Sequence, residues 1–541
     1  MAASSGDSLE RMGPAELIGL VRDLLGEVGR LRAANEALQG EVARLKSENQ
    51  TLKDEIARLK HLPPRPPVNP SGMEKATEPS KPEADEPARR RRGPGVSRLT
   101  IDRTVELTVE APAGSRRKGY EEIVVQDLML RTETTLYRRE RWETPDGRQI
   151  VAPLSQGIVG GYGPQLRRLI LMLHVQGQVT CERIVALLTG LGVAISKRQL
   201  MRLMTADLDA FSAEDGRVLR AGLASAPFVT VDDTGARHAG RACFTTQIGS
   251  DRFTAFRTGP SKSRLSFLRH LMGGVPSYVI NAAALAYMRA SNLAQGVIDA
   301  LAGADVLAFP SHDQWIGHLR ALGVTELRVA PDPVRVASEA AMWGAIEDQR
   351  LIGRAVIVSD DAGQFRVGEH ALCWVHAERL IHKLVSANDR QRSAVEVARR
   401  MIWWFYRQLK DYKLAPSPPR AAELSARFDR IFKRRTGYAT LDRILKRLLA
   451  RKRELLRVLE RPEIPLHTNA SENDIRAFVT KRKISGGTVS DKGRRAHDVM
   501  LGLAKTCSKL GVSFFHYLGD RLALPGPKIP DLATLVPLNT T

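Results

Sequence analysis

Cysteine is scarce: the 541 residues hold four, Cys181, Cys243, Cys373 and Cys507, far apart. That spacing excludes a disulfide framework and a CxxC zinc knuckle. Between His61 and His174 there is neither Cys nor His, so a zinc ribbon in that stretch has no ligands. Long apolar runs are missing as well. The longest, such as Leu169–Val175 and Ile298–Ala308, fall well short of the roughly 20 residues that cross a bilayer, and the N-terminus lacks a signal-peptide pattern. Acid is in deficit, with 60 Asp and Glu against 82 Lys and Arg and a net charge of +22. With no membrane anchor in view, such basicity points to a polyanionic partner, nucleic acid, and to a cytoplasmic protein. The length implies several domains of about 100–200 residues each.

What is present begins with a heptad repeat. Leucine recurs every seventh residue at Leu24, Leu31, Leu38, Leu45, Leu52 and Leu59, with Val21, Val28, Asn35, Val42, Asn49 and Ile56 at the facing positions. β-Branched residues at a and Leu at d favour a parallel two-stranded coil, and Asn35 and Asn49 fix register and partner number. Residues 1–62 are therefore expected to be a leucine-zipper coiled coil that makes a homodimer or a higher oligomer.

Residues 63–97, with Pro63, Pro64, Pro66 and Pro67 and an Arg89–Arg92 run, have too little apolar content to fold and read as a linker. Residues 98–160 carry short alternating runs, TVELTVE and EEIVVQDLML, and are expected to be a small β-rich module without zinc ligands. In 161–222 a helix starts at Gly163–Pro164, a second runs near Cys181–Leu188, and a glycine turn leads to a third capped by Ser196. The third carries Lys197, Arg198 and Arg202. Helix, tight turn and basic helix outline a helix-turn-helix that meets DNA.

Acids then stand out against the basic background. Phe228–Val231 is a β-favouring run that stops on Asp232 and Asp233, and Ala355–Ser359 is another that stops on Asp360 and Asp361. TNASENDIRAF, Thr468–Phe478, reads as a helix start with Asn469 or Ser471 as cap and Glu472 in its first turn, followed by Arg476, Lys481, Arg482 and Lys483. Each acid alone reads as a turn or a cap. Three on two strand ends and a late helix, among phosphate-holding cations, suggest a two-metal phosphoryl-transfer site. Cys373 and His376 form a lone Cys-x-x-His pair and read as packing, with His376 near the site. Trp403, Trp404, Phe405 and Tyr406 sit in a helical stretch and read as core.

Five ordered motifs, YGPQLRRLIL through Leu200, VDDTGAR (Val231–Arg237), VSDDAGQF (Val358–Phe365), CWVHAERL (Cys373–Leu380) and NASENDIRAFVTKRK (Asn469–Lys483), resemble bacterial transposases of the insertion sequence 66 family. The resemblance covers most of Tyr162–Leu518, and the zipper fits it too. It implies a DDE-type, RNase H-like core with Asp232, Asp360 and Glu472 as catalytic acids and ligands of two Mg²⁺ (or Mn²⁺); the family usually carries a Cys-rich zinc module before the YGP helix, but this sequence lacks its ligands there, so no zinc is expected. It also implies double-stranded DNA as partner, accessory proteins of the element, and a nucleoid-associated bacterial protein.

The expected architecture is multidomain α/β: a catalytic core over 223–376 with an insertion at about 282–350, a helical insertion over 377–465, the rest of the core with the Glu over 466–518, and a tail over 519–541. Ser277–Met288 is an alternative strand and helix for the second acid, yet Asn281, Ala282 and Ala283 stand there. The expected activity is strand cleavage at element ends followed by 3′-hydroxyl strand transfer. A catalytically impaired DNA-binding dimer and an RNase H-like nuclease on structured DNA are the alternatives.

Overall fold

The computed structural model describes residues 101–537, apart from 111, 113, 117 and 119, together with residues 19, 26, 27, 29 and 30. The chain divides into two compact units, Met1–Lys75 and Ala76–Thr541. The linker 63–97 and the zipper positions Leu24, Leu31, Asn35, Leu38, Leu45, Asn49, Leu52 and Leu59 lie outside the described residues.

A five-stranded mixed sheet organises the second unit. Its strands are β1 (Phe228–His238), β2 (Arg241–Gly249), β3 (Thr254–Gly259), β4 (Val356–Ser359) and β5 (His370–Leu372), in the order β3-β2-β1-β4-β5. The first three form an antiparallel meander, whereas β4 runs parallel to β1 and β5 parallel to β4. β1 is longer than its sequence suggests. It does not stop at Asp232 and Asp233 but continues to His238, because Arg241–Gly249 supplies a full antiparallel partner for the polar half. The two-residue turn between them, Ala239 and Gly240, has φ of 48° and 75°, the left-handed pair that matches hairpin twist and that glycine adopts without penalty.

Before the sheet come α1 (Pro164–Leu171), α2 (Cys181–Gly190) and α3 (Lys197–Met204). Each start follows from local chemistry: Pro164 opens α1, Thr180 caps α2, and Ser196 with Gln199 closes a reciprocal capping box on α3. Ile170, Ile184, Leu188, Ile195, Leu200 and Leu203 bury a small core of their own between the three. Residues 101–160 differ from the expected β-rich module. Among the described residues there, the strands are one hairpin, Arg141–Glu143 with Gln149–Val151, and Val105, Leu107, Val109, Ile123 and Val125 are exposed.

α4 (Leu208–Ser225) lies on one face of the sheet, burying Val218, Leu219 and Leu223 against Val229, Val231 and Ile248. The span between β3 and β4 holds four helices of eight residues or more after the one at Arg264–Leu271 and a separate two-stranded sheet, Tyr278–Val279 with Ala308–Phe309. The last of them, α5 (Pro333–Asp348), is buried along nearly its whole length. At Gly344 a Cβ would lie 2.2 Å from the carbonyl oxygen of Val279, so the helix reaches the small sheet only because this residue has no side chain.

After β5 comes α6 (Trp374–His382), then the long helical segment α7 (Asp389–Leu414), α8 (Pro418–Phe432) and α9 (Ala439–Ala450). Trp374, Phe405, Phe428 and Phe432 stack into its aromatic core. Phe405 and Tyr406 are core, as expected, whereas Trp404 is 39% exposed with the Arg427 guanidinium 5.0 Å above its ring. α10 (Asn469–Ser485) and α11 (Asp491–Lys509) return to the sheet. The segment expected as a tail is docked: Leu532 and Val536 are buried in the main core, and Glu214 accepts hydrogen bonds from Arg521 and from the backbone of Leu532.

Candidate active site

Strand alternation decides which acid of the Asp232–Asp233 pair faces where. Asp232 sits opposite Gln247, and Gln247 opposite Phe256, so these three side chains share one face. That face carries α10: Phe256 packs on Phe478 with ring centroids 6.0 Å apart, and Gln247 Nε2 donates to Asp474 Oδ2 at 3.4 Å. Asp233 belongs to the row of Thr246 and Arg257, the face of α4, where Arg257 pairs with Asp215 at 2.6 Å. The Asp233 carboxylate accepts from Gln364 Nε2 at 2.6 Å.

The β1–β4 register pairs Thr230 with Val358. Two residues beyond that pair stand Asp232, still in β1, and Asp360, just past the end of β4, close enough for their charges to interact. Burial and the negative charge of Asp360 push the Asp232 carboxyl up to about 6, against the backbone N–H of Asp233 and the charge of His376, which act the other way. No cation is ion-paired to Asp232 or Asp360 among the described residues. Asp361, the neighbour, is instead ion-paired: Arg447 Nε donates to its Oδ2 at 2.9 Å and Arg451 Nε lies 3.3 Å from its Oδ1. The two acids ending β4 thus divide their roles, one open and one anchoring α9.

Glu472 enters from the first turn of α10. The cap of that helix is Thr468, one residue before the expected Asn469 and without a side-chain cap bond; Thr468 is buried and its hydroxyl lies 3.5 Å from His376 Nδ1. The Glu472 carboxylate is 3.3 Å from an Arg379 nitrogen, 3.5 Å from His376 Nε2 and 3.9 Å from Arg476. Burial disfavours the charged imidazole, but the Cys373 thiol and the Glu472 carboxylate outweigh it and raise His376 to about 8. Cys373 and His376 therefore act as a pair at the start of α6, with His376 facing both Glu472 and Asp232. Arg379 escaped sequence reading; its signal was its place three residues after His376, on the same helical face.

Asp474, two residues past Glu472, is a different kind of acid. It is buried and accepts from Thr254 Oγ1 and Lys509 Nζ, both at 2.7 Å, which fastens α10 to β3 and α11. The alternative strand for the second acid lies elsewhere. Tyr278–Val279 pairs outside the five-stranded sheet, and Asn281 caps the following helix while donating to Gly344 O at 2.9 Å.

The cations expected to meet DNA are placed unequally. Lys197, Arg198 and Arg202 are all exposed on α3, Lys197 pairing with Glu182. Arg476 bonds Asn473 at 2.9 Å, Arg482 passes close over Gly235 of β1, and Lys483 is exposed. Lys481 departs from expectation: it is buried, donates to the carbonyl oxygens of His174 and Val179 at 3.1 and 3.0 Å, and is lowered to about 8 by burial. It docks α10 against the residues after α1 and does not face solvent.

Among the described residues no group of three His, Cys, Asp or Glu side chains is close enough to hold a metal ion. Asp232 and Asp360 nonetheless suit a hard divalent cation, being oxygen donors that repel each other with no cation between them. Glu472 becomes a third donor only by exchanging Arg379 and His376 for metal.

The model of the family described as "Transposase IS66 family" matches residues 350–496, the span that holds Asp360, His376, Arg379 and Glu472. An uncharacterized protein, y4jO, of Sinorhizobium fredii (strain NBRC 101917 / NGR234) is 55% identical over 319 residues, 59% of this chain and 99% of the relative. No helix among the described residues is long and apolar enough to cross a membrane.

Proposed function

This chain belongs to the IS66 family of transposases, and on that footing we propose that Asp232, Asp360 and Glu472 form a DDE-type centre that cuts DNA at the ends of an insertion sequence and joins them to a target. One observation carries the reading: Asp232 in β1 and Asp360 just past the parallel β4 are close enough for their charges to interact, and His376, which faces Asp232, also touches Glu472 of α10. The strand order β3-β2-β1-β4-β5, a meander followed by two parallel strands, supports an RNase H-like core.

Asp232 and Asp360 would hold Mg²⁺ or Mn²⁺, and Glu472 would complete the donor set. When bound, such ions lower the pKa of water and offset charge on the phosphodiester. The chain's own residues do the rest. Hydrolysis breaks one P–O bond and leaves a 3′-hydroxyl, whose oxygen then attacks a target phosphodiester and releases a new 3′-oxygen. Arg379, now paired with Glu472, would serve as a planar donor to the phosphate if Glu472 joined the donor set. Helices α1–α3 would bind the terminal repeats in the manner of a helix-turn-helix, and the zipper would join two protomers so that both ends are processed together.

A second reading, a DNA-binding dimer without cleavage, is favoured by the engagement of Glu472 with Arg379 and His376. Incubating a duplex carrying the native terminal repeat with protein and Mg²⁺ separates the two. Nicking that disappears in Glu472→Gln while repeat binding persists is the expected result; metal-independent binding alone, in both proteins, would leave only the second reading.

A further inference from the structure

The helical segment that follows α6 is strongly basic, with 21 Lys and Arg against 8 Asp and Glu over residues 389–461. Ten of these cations are held in ion pairs, as Arg447 and Arg451 are with Asp361. Three of the others lie together. Arg390 at the start of α7 and Arg434 and Arg435 just past α8 border one cavity of about 250 Å³, floored by Val397, Ile431 and Leu445. None of the three has an ion-pair partner among the described residues; Arg434 makes a single weak contact, 3.5 Å to Met401 sulfur. The acids nearby are occupied. Asp389 holds Arg392 at 2.7 Å, and Asp442, which Arg435 faces, accepts from the backbone and hydroxyl of Thr436.

Three like charges gathered on a concave surface repel one another, and an anion relieves that repulsion. Guanidinium groups fork onto tetrahedral oxyanions, and the cavity volume admits a phosphate with its ester arms but is small for a nucleobase and sugar together. We propose that this cavity is a phosphate-binding site. Its position suggests the carrier. Leu445, on its floor, lies six residues before Arg451, which touches Asp361 beside Asp360; at about 1.5 Å of rise per residue that is roughly 9 Å along α9. A DNA strand leaving the acid site along α9 would set a later phosphate there. Only this choice of carrier rests on the proposed function, because an anion site stands whether or not the chain cuts DNA.

The test uses the full-length Glu472→Gln protein without divalent metal, so that cleavage plays no part. Anisotropy titrations with a fluorescent 30-base-pair duplex at several salt concentrations compare it with the same protein carrying Arg434→Ala and Arg435→Ala, with Arg390→Glu, and with Arg407→Ala, an exposed change on α7 outside the cavity. Calorimetric titration with inorganic phosphate and with pyrophosphate forms the second arm. Loss of at least fivefold in duplex affinity, with the salt slope reduced by about 0.9 per phosphate lost and Arg407→Ala near unchanged, assigns the site to the DNA backbone. Saturable phosphate or pyrophosphate binding that both cavity variants lose, with duplex affinity unaltered, assigns it to a free phosphate. Equal duplex affinity in all proteins and no saturable phosphate heat would overturn the proposal. Circular dichroism melts within a few degrees of one another confirm that the variants remain folded.

Discussion

Arg379 and Glu472 stand 3.3 Å apart, the guanidinium 39% and the carboxylate 22% exposed, although 93 residues of chain separate them. A cation from α6 thus occupies the acid proposed as the third metal ligand. His376 lies on the same carboxylate, so Glu472 is poised between a protein counter-ion and a metal one.

Arg379→Ala is expected to tighten Mn²⁺ binding to the DNA-free protein by about fivefold, since a partly exposed pair of this kind is worth roughly 1 kcal/mol. Cleavage turnover should fall in the same variant, because the freed guanidinium no longer meets the phosphate. Calorimetry with Mn²⁺ reads the first effect and single-turnover cleavage the second; unchanged metal affinity would mean that Arg379 does not compete for Glu472.

Asp232→Asn separates activity from stability. Burial and Asp360 hold the Asp232 carboxyl near 6, above its unfolded value, so its contribution to stability is present at low pH and is lost as pH rises through about 4 to 6. At pH 7.5 the charged form is a burden on the order of 2 kcal/mol. The neutral amide keeps the shape without that burden. Metal-free Asp232→Asn protein should melt a few degrees higher than the parent at pH 7.5 and no higher at pH 4, with cleavage abolished. Asp233→Asn, on the other face, should retain measurable cleavage.

Three buried histidines govern the acid side. His174, His270 and His370 are each lowered to about 4, chiefly by burial, so between pH 6.5 and 4 the unfolded chain takes up protons that the folded one refuses. Their contribution to stability must fall as pH drops through that window and level off below it. Asp232, Asp233 and Asp215 act the other way, each raised chiefly by burial, so the net slope is the balance of the two sets. Replacing one histidine shifts that balance: between pH 7 and pH 4 the urea midpoint of His270→Gln should fall less, or rise more, than that of the parent.

Asp474→Asn removes the charged partner of Lys509, leaving a mostly buried ammonium facing a neutral amide. The expected loss is about 3 kcal/mol, with cleavage impaired although Glu472 is intact, because α10 is no longer fixed to β3. The double change Asp474→Leu with Lys509→Met should recover much of the stability. A single variant as stable as the parent would show that Asp474 does not anchor α10.

The helix starts at Pro164, Cys181 and Ser196, the buried strands at Phe228 and Ala355, and the acids that end or interrupt those strands were all legible in the chain, since caps, turns and period are local properties. So was the family, from ordered motifs. Residues 98–160 were overread, because alternation signals a strand only when something covers its apolar side. Lys481 was misplaced for a similar reason: charge on a helix says nothing of which face that helix buries.

By itself, then, the sequence determined that this is a basic, DNA-directed α/β protein with acids following its buried apolar runs, because those features depend on residue type and near neighbours alone. Only the tertiary structure decided that Asp232 rather than Asp233 shares a face with α10, that Asp360 stays open while Asp361 binds arginine, and that Glu472 is held by Arg379. Each of those outcomes depends on pairing between segments tens to hundreds of residues apart, where a shift of one position along a strand turns every side chain to the opposite face.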